Sequence, residues 1–348
     1  MAIPVDIDHR RATGTPVPLL NGTLVLSAAL ASNGTLAYIR KSSTSRAMLV
    51  DLSGKATPLI ADARDLSFPA VSPAGRQVAF TRPTSDGTDI SVYDIPSNTF
   101  TRRTFSNGER AAWTADGKRL AFTRAGEGAA FWIAADGSDA VDTLSGLISE
   151  RDGGIHEVTF SPDGRFVVLR NDARVTKRDL WLLPLGPHGS RGKPVPLEQT
   201  PFDELMPRVS PDSRHLAFIS DASGSYEVYV RSFPGGGPRF QVSDGGGTEP
   251  VWAPDGRSVF YRANGNIMLA TLSVGAPLRV LERKVLFNDK YLSNGVHQQY
   301  DVMPDGRRLL MLEPIQPGDE SGQAIYVVLG WERELRKQLA PAPKGSGG

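Results

Sequence analysis

Ser161-Pro-Asp-Gly164, followed by Arg165-Phe166 and the apolar triplet Val167-Val-Leu169, is the stretch whose reading decides the fold. Proline presets φ at the first corner of a turn, aspartate hydrogen-bonds back to nearby backbone, and glycine supplies positive φ. Such a turn reverses the chain between two antiparallel strands. The pattern recurs at Ala31-Ser-Asn-Gly34, Ser72-Pro-Ala-Gly75, Thr114-Ala-Asp-Gly117, Ser210-Pro-Asp-Ser213, Ala253-Pro-Asp-Gly256 and Met303-Pro-Asp-Gly306. Each is followed by its own β-rich triplet, such as Val78-Ala-Phe80, Leu120-Ala-Phe122 and Leu216-Ala-Phe218. Successive turns end 41 to 50 residues apart. That is the period of propeller blades.

After each triplet comes a further apolar strand, as in Ile90-Ser-Val-Tyr-Asp94 and Glu227-Val-Tyr-Val230, and then a shorter polar one, as in Thr99-Phe-Thr-Arg-Arg103. Four strands, apolar inside and polar outside, make one blade. A lone blade cannot bury both faces, whereas a ring of blades buries each face against the next. Seven turns predict an all-β, seven-bladed propeller, with six complete blades and a cap as the alternative. The seventh unit supplies only three strands. An N-terminal segment, Ile3-Pro-Val-Asp-Ile7 or Pro16-Val-Pro-Leu-Leu20, is therefore expected to close the last blade. Trp331, Leu335 and Leu339 stand four apart and predict a short C-terminal amphipathic helix. One propeller domain spans 1–340, and 341–348, with its Gly-Ser content, reads as a flexible tail or linker.

Composition bounds the function. The 348 residues carry 39 Lys and Arg against 38 Asp and Glu, a net charge of +1. This balance argues against nucleic acid or an anionic membrane as the main partner. With 36 glycines and 26 prolines the chain exceeds the average combined usage of about 12%, which fits many short segments and many turns. There is no cysteine, so disulfides, thiolate metal sites and cysteine nucleophiles are excluded. No run of 18 apolar residues predicts a membrane span, and Met1-Ala-Ile-Pro-Val-Asp does not read as a signal peptide.

The turns and strands resemble the TolB-type, WD40-like (PD40) β-propeller repeats over most of the chain. The segments Asp179-Leu-Trp-Leu-Leu-Pro184, Glu227-Val-Tyr-Val-Arg-Ser-Phe-Pro234, Gly245-Gly-Gly-Thr-Glu-Pro-Val-Trp252, Tyr300-Asp-Val-Met-Pro-Asp-Gly306 and Val327-Val-Leu-Gly-Trp331 look like the propeller region of bacterial receptor-like serine/threonine protein kinases. The resemblance implies a sensor or interaction domain in an extracytoplasmic or periplasmic setting, without catalysis by the propeller. No kinase glycine loop, His-Arg-Asp loop or Asp-Phe-Gly segment is present. The Gly-x-Ser-x-Gly elbow of propeller-bearing hydrolases is also missing.

No catalytic or metal motif passes a spacing test. Asp116, Asp163, Asp212, Asp255 and Asp305 recur once per turn, so their recurrence has a structural cause. Trp113, Trp132, Trp181 and Trp252 sit on strands and read as packing between blades. Counting back from each turn to the start of the innermost strand gives equivalent positions at the channel mouth. They are Ser27, Phe68, Arg110, Glu157, Met206, Glu249 and Gln299, preceded by residues that include Glu109, His156, Leu205 and Gln298. Their chemical variety, against the sameness of the turns, marks a candidate binding surface formed by Glu109, Arg110, His156, Glu157, Met206, Glu249, His297 and Gln299. The expected partner is a protein, a peptide or a small ligand, taken by a monomer without a cofactor. The alternative is a hydrolase or lyase using His156, Glu157, Glu109 and Glu249, with or without a divalent metal in the channel.

Overall fold

The turn chemistry is carried by a hydroxyl and a carboxylate acting together. The Ser161 hydroxyl accepts the Phe166 N–H at 2.9 Å and donates to Asp163 at 2.5 Å, and Asp163 accepts the Arg165 N–H at 3.1 Å. Ser210 and Asp212 repeat this with His215 and Arg214, and Thr114 and Asp116 with Arg119 and Lys118. Asp255 and Asp305 likewise accept two backbone N–H groups each from the residues that follow them. Gly164 stands at φ +70°, and Ser213 takes the same left-handed place at +57°. The five recurrent aspartates thus each hold their own turn.

The computed structural model describes residues 5–6, 11–12, 25–31, 35–40, 44–315 and 325–329, apart from 63, 86, 125, 147, 149–153, 174–176 and 274–276. Contacts divide the chain into two units, Thr44–Pro314 on one side and Met1–Ser43 with Ile315–Gly348 on the other.

Thr44–Pro314 folds into six antiparallel sheets. From the channel outward, blade 1 is Ser67–Val71, Gln77–Thr84, Gly87–Asp94 and Thr99–Arg102. Blade 2 is Gly108–Trp113, Arg119–Arg124, Ala130–Ala134 and Asp142–Ser145. Blade 3 is Gly154–Phe160, Phe166–Ala173, Lys177–Pro184 and Val195–Glu198. Blade 4 is Glu204–Val209, His215–Ser220, Glu227–Ser232 and Phe240–Gln241. Blade 5 is Thr248–Trp252, Ser258–Ala263, Asn266–Leu272 and Val280–Asn288. Blade 6 joins Tyr300–Val302 and Arg308–Pro314 to Thr44–Asp51 and Ala56–Pro58.

Period-two alternation explains why the sheets stack in a ring. In Arg119–Arg124, Leu120 and Phe122 enter the apolar cluster shared with blade 1, while Ala121 enters the one shared with blade 3. In His215–Ser220, Leu216 and Phe218 face blade 3, and Ala217 and Ile219 face blade 5. In Arg308–Pro314, Leu309 and Met311 face blade 5, and Leu310 and Leu312 face blade 1. Six clusters fill the six junctions, so each of the six triplets in the ring is buried on both faces. Each fully buried large apolar side chain contributes about 1.5–3 kcal/mol. Trp113, Trp132 and Trp252 lie inside these clusters, and Trp181 packs against one.

The seven-bladed expectation is corrected to six blades. Thr44–Asp51 pairs with Arg308–Pro314 over seven consecutive positions, from Asp51 opposite Arg308 to Ser45 opposite Pro314. This long strand, rather than Ile3–Ile7 or Pro16–Leu20, completes the last blade. Once it is used there, the first hairpin has no blade of its own in the ring. In the second unit, Val25–Leu30 pairs with Thr35–Arg40, which pairs on its other side with Ile325–Leu329, in a three-stranded antiparallel sheet. Val5–Asp6 pairs with Arg11–Ala12. Residues 16–20, the expected helix at 332–339 and the tail at 341–348 lie outside the described residues. Among the described residues the helical content is one 3-10 turn, Pro187–Gly189, and no helix is long and apolar enough to cross a membrane.

Candidate functional site

The inner strands start at one end of the channel, and there the ladder is interrupted. Register shifts by one residue fall between Ser67 and Ala70, Glu109 and Ala112, Ile155 and Glu157, Leu205 and Arg208, and Thr248 and Val251. A β-bulge re-aims side chains and sharpens the local twist. Four equivalent bulge residues, Phe68, Arg110, Met206 and Glu249, adopt left-handed φ of 50° to 54°. A non-glycine residue there costs of order 1–3 kcal/mol unless its surroundings hold it.

A belt of hydrogen bonds between blades does so. The Met206 N–H donates to Oε2 of Glu157 at 3.0 Å, the Gln299 N–H to Oε2 of Glu249 at 2.7 Å, and the Phe68 N–H to Oε1 of Gln299 at 3.2 Å. The Arg110 N–H donates to the Thr81 hydroxyl at 2.9 Å. Each link ties one blade to the next. Met206, Glu249 and Gln299 are buried in this belt. Glu249 also accepts the Ser293 hydroxyl at 2.6 Å and lies 3.2 Å from Arg262 Nε. Burial pushes its carboxyl up, against the pull of Arg262, Ser293 and the Gln299 N–H.

The other candidate residues converge on the mouth itself. His297 Nδ1 lies 3.0 Å from Oε1 of Glu157, and its ring meets Phe68 edge-on with centroids 5.6 Å apart. Arg110 pairs with Glu109 at 3.0 Å and covers the Phe68 ring from 5.6 Å. Arg170, almost wholly buried, places Nε 3.6 Å from both Glu157 and Asp172, and His156 faces Asp172 at 3.5 Å. Burial pushes the Glu157 carboxyl up, but Arg170 and the His297 hydrogen bond outweigh it and hold the group at about 2. Burial lowers the imidazoles of His297 and His156 below their usual value, despite the carboxylates that face them. Glu157 is therefore ionised at neutral pH, and His297 meets it as a neutral donor.

Behind these residues the channel holds a cavity of about 360 Å³. Phe68, Trp113, Val158 and Phe160 supply apolar walls, and Arg110, Arg208, Gln298 and Asp301 supply polar ones. The wall is fixed by backbone contacts: the Trp113 indole donates to Ala70 O at 2.9 Å, and the Trp252 indole to Arg208 O at 3.0 Å. Asp301 accepts the N–H groups of Val71 at 2.7 Å and Val302 at 2.9 Å. Among the described residues, no three His, Asp or Glu side chains group closely enough to hold a metal ion.

Counting strand positions located the mouth but not Arg170, Asp172, Arg208 or Asp301. Arg170 has a visible signal, being a charge placed directly after an apolar triplet. Arg262 stands at the same place after Val259-Phe-Tyr261, and each pairs with the bulge glutamate of its own blade.

No family model matches the chain. It is 29% identical over 158 residues to an uncharacterized peptidase, YuxL, of Bacillus subtilis (strain 168), a match that covers 43% of this chain and 21% of that protein. Among solved structures, a putative TolB from Agrobacterium tumefaciens superposes with a TM-score of 0.56 at 14% identity, covering 78% of this chain and 99% of the other. The hydrazine synthase of Kuenenia stuttgartiensis gives 0.57 at 16% identity, covering 89% and 98%. The fold is that of the TolB-type propeller. At these identities the likeness concerns the fold alone.

Proposed function

We propose that this propeller is a non-catalytic binding module that admits its ligand through the channel mouth. The observation that carries the reading is the cavity behind Phe68, Arg110 and His297, walled by aromatic rings and entered past a few polar groups. A concave apolar space with few convergent polar groups is the usual form of a ligand site. Several groups that an enzyme would need free are engaged. Glu249 is sealed in the belt, and both oxygens of Glu157 are occupied by His297 and the Met206 N–H. The likeness to the kinase-linked propellers makes a sensor or interaction domain the setting of choice, and their extracytoplasmic location goes with it.

A second reading rests on the 158-residue match to a protein named as a peptidase: the propeller would admit peptides to a hydrolase outside this sequence. The two readings part on selectivity. A sensor binds one ligand class tightly, whereas an admission channel takes unstructured peptides weakly and without preference.

The test is a thermal-shift screen of small molecules and short peptides on the wild-type chain and on Ala112→Phe, which fills the cavity. Ligands that raise Tm by several degrees in the wild type and not in Ala112→Phe support the reading. A set of ligands that stabilises both proteins equally contradicts it.

A further inference from the structure

The polar groups of the cavity differ in what they still have to offer. The Glu157 carboxylate is matched by Arg170 and His297, and Asp301 by two backbone N–H groups. Arg110 has Glu109. Arg208 is different. It is half-buried on the inner strand of blade 4, and its guanidinium makes one hydrogen bond, from Nη1 to the carbonyl of Pro207 at 3.3 Å. Among the described residues it forms no ion pair within 4.0 Å and acts on Glu157 and Asp301 only from further off, so the face of its fork is open. A guanidinium presents five N–H donors in a fork that matches a carboxylate.

Resting on the channel reading above, we infer that the cavity takes a ligand bearing a carboxylate on an apolar body, the carboxylate on Arg208. The rings of Phe68, Trp113 and Phe160 receive the apolar part. Two sources share this chemistry, a small aryl or alkyl acid and the free C-terminus of a polypeptide.

Isothermal titration calorimetry on the full chain tests it with four probes: 3-phenylpropionate, 3-phenylpropionamide, N-acetyl-glycyl-phenylalanine and its C-terminal amide. The acids are expected to bind at least about tenfold more tightly than the matching amides. Arg208→Met should bring the acids down to the level of the amides and leave the amides unchanged, while Arg208→Lys retains part of the preference. Near-UV circular dichroism checks that both variants keep the fold. Whichever acid binds more tightly identifies the source. Amides binding as well as acids, or acid affinity unchanged in Arg208→Met, would overturn the carboxylate assignment while leaving the channel as the binding site. Silence from all four probes up to millimolar concentration would overturn the assignment and count against the channel reading as well.

Discussion

Nδ1 of His297, on the approach to blade 6, lies 3.0 Å from Oε1 of Glu157 in blade 3, three blades away round the ring in either direction. The contact therefore crosses the channel at its mouth. Glu157 faces three ways at once: to His297, to the Met206 N–H of the next blade and to buried Arg170 in its own.

These partners rank the expected losses. Glu157→Ala leaves buried Arg170 with Asp172 as its remaining countercharge and a left-handed N–H without an acceptor, and should lower stability by about 3 kcal/mol in urea unfolding. His297→Ala removes one hydrogen bond to a charged group and should cost about 1–2 kcal/mol. Equal effects of the two substitutions would show that Glu157 has no role beyond its contact with His297. The pH profile follows from the depressed carboxyl. Its contribution is complete above about 4.5 and is lost as pH falls toward about 2, so Glu157→Gln should shrink the acid limb to what the depressed turn aspartates supply.

Glu204 should act in the opposite sense. It is fully buried; Oε1 accepts the Thr200 hydroxyl at 2.5 Å and Oε2 has no partner. Burial, with Glu198 and Asp179 nearby, lifts the carboxyl to about 7 against the pull of Thr200 and Arg239. The folded state then holds the proton more tightly than the unfolded chain between about 4.5 and 7. Stability should fall as pH rises through that window, by up to about 3 kcal/mol. Glu204→Gln should be more stable than wild type at pH 8 and should lack the decline between pH 5 and 7, keeping the small rise that the lowered imidazoles of His156 and His297 supply. A wild-type profile without that decline would refute the burial argument.

The indole links between inner strands are separable from packing. Trp113→Phe keeps most of the ring and removes the N–H that reaches Ala70 O, so it should cost about 1 kcal/mol beyond the lost volume. Trp132, whose indole N–H meets the largely exposed Asp142, should lose less in Trp132→Phe. Chemical denaturation of both variants decides it, and a larger loss at Trp132 would count against the indole links as inter-blade ties.

The blades were legible because each is a local object. Turn, triplet and outer strand follow one another within one repeat, and the Ser161–Asp163 hydrogen bond needs nothing from elsewhere in the chain. The blade number was not, because Thr44–Asp51 finds its partner at the opposite end of the propeller, and alternating hydrophobicity does not reveal which strand closes a ring. The mouth was half legible. Equivalent positions could be counted to Phe68, Arg110, Glu157, Met206, Glu249 and Gln299. What counting misses is that bulges turn their backbone N–H groups into the belt, so Glu249 and Gln299 enter the interior while Arg110 and Glu157 line the channel. Arg208 stayed hidden because nothing in Met206-Pro-Arg208 distinguishes a channel arginine from a solvated one.

The ring of six, on which the channel and its mouth depend, is tested most directly by a crosslink at its closure. Met48 and Met311 stand opposite each other in blade 6 and share one apolar cluster, and directly opposed strand residues have the Cα separation a disulfide requires. The chain has no cysteine, so Met48→Cys with Met311→Cys gives an unambiguous readout by mass spectrometry after mild oxidation. A quantitative intramolecular bond between these two positions in the folded protein is the expected result. A folded, oxidised double variant with both thiols free would contradict closure by Thr44–Asp51, and with it the six-bladed ring.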